Sequence, residues 1–263
     1  MGGAFGYTAS MVVVGFNFRR KRNLALGVSN AGIGLGLFVF APVMQLARDY
    51  YGTFGYFFIM AAIAANLVTF GAVCYPSKLE LYTHSVRARS SRSAEANQSV
   101  GDMFKTYCRV LTNKGIFILC VAMFFYCIGT YLVYLYLPSY VVYRNISPSY
   151  ASMLMSISGV GSVIGRFLTG AIANLKRVNC LLIYSGSIVI IAIVTVIYPF
   201  MSSTYAGNVA FVVVYGLFIG SCFVVTTSVS LLFVDIEHLS ASIGLQFACG
   251  GVGGIVGPVL AGE

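Results

Sequence analysis

The stretch 149–177, SYASMLMSISGVGSVIGRFLTGAIANLKR, sets a single guanidinium, Arg166, inside a run that is otherwise uncharged from 149 to 174. A helix crosses a bilayer in about 20 residues at ~1.5 Å rise each, so this run is long enough to span. A guanidinium at membrane depth costs at least ~2.5 kcal/mol on insertion scales, and such groups ordinarily face a polar cavity or a partner. Glycines 159, 161 and 165 leave a small-residue face beside it, on which a second helix can approach closely. Two readings stay open at this point. Arg166 faces an internal cavity, or, about eight residues (~12 Å) from the end of the run, it snorkels to the cytoplasmic surface.

Composition places the rest of the chain around that run. Of 263 residues, 59% are hydrophobic and 9% charged, against about 25% charged in soluble domains. The class is a membrane protein. The net charge of +9 then calls for an explanation other than nucleic acid. Apolar runs fall at about 2–17, 24–47, 55–75, 116–137, 149–174, 180–200, 207–233 and 241–262, giving eight expected spans. They are long and continuously apolar, not alternating, which favours helices over barrel strands.

Basic residues orient these spans. With the 18–23 loop in the cytoplasm, Arg19, Arg20, Lys21, Arg22, Lys78, Arg87, Arg89, Arg92, Lys105, Arg109, Lys114, Lys176 and Arg177 lie inside, and Arg48 and Arg144 outside. The 234–240 loop, VDIEHLS, is expected inside yet carries no Lys or Arg. This topology puts both chain ends outside, and with a short first run it reads as part of a longer protein. The hydrophilic segment 76–114 is expected to be a cytoplasmic loop, with a Ser- and Arg-rich linker at 83–99. Its end, 100–110, is expected to be a short amphipathic helix showing Met103, Phe104, Tyr107 and Val110 on one face.

Enzyme and metal constellations are poor. His84 and His238 lie in loops without ligand or triad partners at usable spacing, and GVGSVIG at 159–165 misses the dinucleotide fingerprint. No catalytic residue, metal site or cofactor is expected. The cysteines at 74, 108, 120, 127, 180, 222 and 249 show no metal spacing and read as packing residues. Gly32, Gly34 and Gly36, Gly216 and Gly220, and the run 250–257 (GGVGGIVG) supply further small-residue faces, either for packing or as hinges. Asp49, Glu80, Glu95, Asp102, Asp235, Glu237 and Glu263 all map to loops or ends. Arg166 therefore has no carboxylate partner within these spans, and an unpaired buried charge is costly. A bound anion would supply the missing charge, since a guanidinium matches a carboxylate through two parallel hydrogen bonds. Ser158 and Ser162 precede Arg166 at four-residue spacing and share its helix face, so they are candidate substrate-contacting groups. Tyr126, Tyr131, Tyr134, Asn66 and Gln246 are weaker candidates.

The stretch 17–36, NFRRKRNLALGVSNAGIGLG, resembles the second signature of the monocarboxylate transporter family, part of the major facilitator superfamily, YFxKRRxLAxGxAxAGxxxG. Phe18, Arg20, Lys21, Arg22, Leu24, Ala25, Gly27, Ala31, Gly32 and Gly36 keep its spacing, while Asn17 and Ser29 depart from it. The resemblance continues through APVMQ at 41–45, Asn66 and GAVCYP at 71–76. It resumes at Arg166, Gly170, Ala173 and Asn174, at VDI 234–236, at Gly244 and Leu245, and at GPVLAG 257–262.

It implies an all-α, polytopic membrane bundle of major facilitator type, incomplete, with about eight of twelve helices (four to eleven). Residues 1–75 would end the N-terminal half, 76–114 form the central loop, and 115–263 belong to the C-terminal half. The implied function is secondary transport of lactate- or pyruvate-like anions across the plasma membrane, with a proton in some members, and some members need a single-span immunoglobulin-type partner. Arg166 matches the family's substrate-associated arginine, and Arg20, Lys21, Arg22, Gly27, Gly32, Gly36, Gly170 and Asn174 its signature positions. Ser162 stands where proton-coupled members carry an aspartate, which puts coupling in doubt. Facilitative carriage of aromatic amino acids, creatine or carnitine-like solutes remains the alternative, and a non-transporting scaffold or sensor is the reading from a different class.

Overall fold

The computed structural model describes residues 7, 14, 21–73, 100–144, 146–175, 178–235 and 238–262, with side chains described in all of these except 67–73 and 100–105. Every long regular element among the described residues is a helix: α1 (Arg22–Val73), α2 (Val100–Thr112), α3 (Lys114–Tyr143), α4 (Pro148–Ile172), α5 (Cys180–Met201), α6 (Tyr205–Ile219), α7 (Ser221–Ser230) and α8 (Leu239–Ala261). Six long helical stretches among them are apolar enough to cross a membrane, α6 and α7 counting as one stretch, Tyr205–Ser230. The first expected run, 2–17, and the linker 83–99 lie outside the described residues, save Tyr7 and Val14. Every later apolar run is mainly helix over its described residues.

The expected loop at 48–54 is a narrower feature. Helix α1 runs for 52 residues and is interrupted at Gly52 alone, with φ 64° and ψ −170°. A side chain makes that conformation costly, so glycine is required there. On either side of Gly52 the helix is long enough for one crossing, which needs about 20 residues.

Packing divides the chain into two compact units, Ala47–Arg109 and Met1–Leu46 with Val110–Glu263. In the smaller unit the α1 segment after Leu46 exposes Tyr50, Tyr51, Phe54, Phe57 and Phe58, the aromatic surface expected of a lipid-facing helix. Asn66 is exposed there and donates to the Ala62 carbonyl of its own helix, at 3.0 Å. Helix α2 forms over the expected amphipathic stretch, with Tyr107 exposed.

The larger unit is built on close helix contacts. Side-chain caps start three of its helices: Asn113 accepts from Gly115 N (3.0 Å), Ser147 from Tyr150 N (3.4 Å) and Asn179 from Leu181 N (2.9 Å). Pro148 opens α4, where its missing N–H costs nothing. Helix α4 lies between α1 and α6, glycine against backbone on both sides. A Cβ on Gly159 would sit 2.7 Å from Phe38 N, one on Gly170 2.8 Å from Asn23 O, and one on Gly165 1.8 Å from Leu217 O. The glycine run of α8 packs on α3 in the same manner, Gly253 against Phe124 O and Gly257 against Ile128 O. These glycines serve packing. Among the described residues Gly32 has nothing within 4 Å and Gly36 meets only the Phe40 ring at 3.9 Å, so neither shows there the close helix contact expected of it. Cys120, Cys127 and Cys222 are free and buried in the core, consistent with packing roles.

Candidate functional site

Helix α4 carries Ser158, Ser162 and Arg166 on its buried face, as their spacing requires. Arg166 is 4% exposed, and the two serines are as deeply buried. The cation does not snorkel. Its Nη1 donates to Ser162 Oγ, one turn back, and Ser158 Oγ lies 3.5 Å from the Tyr134 hydroxyl. The guanidinium Nε is buried without a hydrogen-bond partner among the described residues. Among the described residues the titratable groups near enough to feel its charge are the phenols Tyr134, Tyr7 and Tyr126, and none is a carboxylate.

Other elements close around this face. Tyr126 and Tyr134 stand two turns apart on α3, with the buried Thr130 between them. The Tyr126 hydroxyl donates to the Ile219 carbonyl. That carbonyl ends α6 one residue before Gly220, where the α6–α7 stretch is interrupted. On the far side of the break Ser221 Oγ lies 2.8 Å from Thr169 Oγ1 of α4. Tyr215, buried beside Thr130, packs edge-on against Tyr134 with centroids 5.9 Å apart. Tyr7 donates to Asn30 Oδ1 at 2.9 Å. A desolvated cation therefore sits among neutral hydroxyls, an arrangement suited to a small anion, because attraction to an opposite charge grows as the surroundings exclude water.

The weaker candidates divide. Tyr126 and Tyr134 belong to this cluster, whereas Asn66 lies in the other unit. Tyr131 is about half exposed, its ring against Gly254. Gln246 is fully buried, and its Nε2 donates to Ser230 Oγ (2.8 Å) and Ser242 Oγ (3.2 Å). Among signature residues, Gly27 seats α1 on the Arg166 carbonyl, where its Cβ would lie 2.7 Å away. Gly170 meets α1 as noted above. Lys21 and Asn174 are exposed, Arg22 begins α1 half-buried, and Arg20 lies outside the described residues.

The sequence reading missed Tyr7, Asn23, Thr130, Tyr215 and the role of Gly220. Asn23 Nδ2 donates to Ala173 O at 2.9 Å and its Oδ1 accepts from Ser228, tying α1 to α4 and α7. Its signal was a neutral amide between the basic cluster and the first apolar turn. Thr130 was legible from the four-residue spacing of Tyr126, Thr130 and Tyr134.

Among the described residues the build is helical, with six stretches apolar enough to cross a membrane, and the buried cation has no carboxylate beside it. The chain belongs to the Major Facilitator Superfamily, whose family model matches residues 1–258. It is similar to Monocarboxylate transporter 12 of Xenopus laevis, with 25% identity over 100% of this chain and 59% of that protein. It is also similar to Monocarboxylate transporter 4 of Gallus gallus, with 24% identity over 100% of this chain and 54% of that protein. A third similarity is to Monocarboxylate transporter 13 of Bos taurus, 24% identical over 99% of this chain and 58% of that protein. The chain spans 54% to 59% of the length of these relatives.

Proposed function

We propose that this chain is the greater part of a secondary carrier for small monocarboxylates of lactate or pyruvate type, working by alternating access at the plasma membrane. Arg166 is the anion's counter-charge, with Ser162 and Ser158 beside it. The observation that carries this reading is the burial of Arg166 among neutral hydroxyls, with its Nε unpaired among the described residues. A carboxylate arriving there replaces lost hydration with charge-assisted hydrogen bonds. The names of the similar proteins agree with it. Residues 1–75 then close the N-terminal half, 76–114 join the halves, and 115–263 supply most of the C-terminal half. The halves rock about a midplane site, as carriers built from repeats do.

Ser162 favours a second reading. A serine cannot release or take up a proton in the physiological range, so the Arg166–Ser162 pair offers no coupling group. Facilitative movement of the anion, or of a zwitterion carrying a carboxylate, fits that pair better than proton symport. An ancillary single-span partner belongs to the proposal only through the resemblance.

The full-length protein in proteoliposomes should take up radiolabelled lactate or pyruvate saturably. Arg166→Ala should cut uptake at least about tenfold, since hydrogen bonds to a charged group are worth ~1.5–3 kcal/mol. Unchanged uptake in that variant rejects the assignment. A lumenal pH dye separates the two readings: acidification with influx marks proton symport, and an unchanged signal marks facilitation.

A further inference from the structure

Four helices have ends that meet at one amide. Asn23, in the first turn of α1, is buried. Its Nδ2 donates to the Ala173 carbonyl at the end of α4 (2.9 Å) and lies 3.7 Å from Cys180 Sγ, where α5 begins. Its Oδ1 accepts from the Ser228 hydroxyl of α7. These contacts need a donor for a carbonyl and an acceptor for a hydroxyl, and one amide supplies both. The signature that 17–36 resembles leaves position 23 unspecified.

Between this amide and the cation, α1 and α4 touch. Ala173 follows Arg166 by seven residues on the same face of α4, about 10 Å at ~1.5 Å rise per residue. Over that distance Gly27 lies against the Arg166 backbone, where a Cβ would stand 2.7 Å from the carbonyl oxygen. Gly170 lies against the Asn23 backbone, where a Cβ would stand 2.8 Å from the carbonyl oxygen. No carboxylate passes between backbones so close. The α1–α4 seam is therefore shut between Arg166 and the end that the Lys and Arg distribution predicts to be cytoplasmic.

The bonds at Asn23 suit a contact that breaks and reforms. The Ala173 carbonyl is among the last of α4, which lack partners in their own helix and need a side chain or water. With the ends parted, water takes up this carbonyl, the amide and the Ser228 hydroxyl, and such an exchange of partners costs little per bond. Farther along the seam, beyond Arg166, Ser156 donates to Phe38 O (3.3 Å) and also to Ser152 O of its own helix (3.2 Å). It keeps the second partner when α1 leaves.

We propose that Asn23 is a positioning residue of the carrier cycle: a latch that holds the cytoplasmic ends of α4 and α7 on α1 and must release before Arg166 opens to the cytoplasm. This rests on the carrier reading above, in which α1 belongs to one half and α4, α5 and α7 to the other.

The test uses the full-length protein with its own cysteines replaced by serine and Thr169→Cys as a reporter. Thr169 is buried on the same face of α4, between Arg166 and Ala173. A small impermeant methanethiosulfonate reagent reads opening toward the cytoplasm in inside-out vesicles and toward the exterior in right-side-out vesicles. Asn23→Leu keeps the side chain's size and removes both bonds, so it should speed cytoplasmic labelling about tenfold. Ser228→Ala should speed it about threefold. The double variant should go no further than Asn23→Leu alone, because both changes break the same bond. Ser156→Ala should stay within about twofold of the parent, and labelling from the outer face should not rise in any of these variants.

A parent-like rate in Asn23→Leu, an equal rise from the outer face, or additive effects in the double variant overturn the latch and leave the carrier reading standing. Lactate uptake by the full-length protein without the reporter tests that reading separately. No saturable uptake, or wild-type uptake by Arg166→Ala, overturns the carrier reading and the latch with it. If Asn23→Leu fails to insert, Ser228→Ala decides: faster labelling from the cytoplasmic face supports the latch, and a parent-like rate overturns it.

Discussion

At the residue scale the molecule turns on one charge and its neighbours. Arg166 is held by Ser162 and lies near three phenols, Tyr134, Tyr7 and Tyr126, so its position is set by hydroxyl groups. Arg166→Lys keeps the charge but replaces a planar set of donors by a compact ammonium. It should retain measurable uptake with KM raised on the order of tenfold, a loss of ~1.4 kcal/mol, while Arg166→Met should abolish saturation. Equal activity in the two variants would show that charge plays no part. This residue was legible in sequence, because a lone cation in an apolar run stands out. Gly220 was not legible as its neighbour: the two are far apart in the chain, and only the packing of α4 against α6 and α7 brings them together. The same holds for Asn23, whose partners Ala173 and Ser228 lie on other helices.

At the scale of the element, glycines do two separable jobs. Gly165 is an approach site, where a methyl would lie 1.8 Å from the Leu217 carbonyl. Gly165→Ala should force α4 and α6 apart and lower stability by about 3 kcal/mol, the upper end for overpacking. Detergent thermal unfolding reads this as a lower melting temperature. Gly52 is a conformational site with nothing among the described residues within 4 Å. Gly52→Ala should cost about 1–3 kcal/mol through its positive φ alone. If both variants melt with the wild type, the glycine account is wrong. Hydropathy read the spans well, but it smeared the break in α1 into a loop. Composition cannot distinguish a seven-residue connection from one glycine with a left-handed φ. It also could not tell which glycines meet a neighbour, and Gly34 does while Gly32 and Gly36 do not.

For the whole molecule, membrane orientation and carrier function hang together. Cytoplasmic retention of Lys and Arg predicts 76–114 inside and the α5–α6 turn outside. In a version of the full-length protein whose own cysteines have been replaced, an impermeant maleimide should label Ser203→Cys on intact cells and Ser90→Cys only after permeabilisation. The reverse pattern would invert the topology. The helical membrane class was fully legible, since 59% hydrophobic residues in long runs allow little else. The cation's local environment needed the tertiary structure. The most direct test of the central claim is equilibrium binding of radiolabelled pyruvate to the purified full-length protein, competed by lactate and by neutral lactamide. If Arg166 is the substrate's counter-charge, lactate displaces the label, lactamide does not, and Arg166→Ala binds none of it. Displacement by lactamide as strong as by lactate, or undiminished binding to Arg166→Ala, would contradict the account.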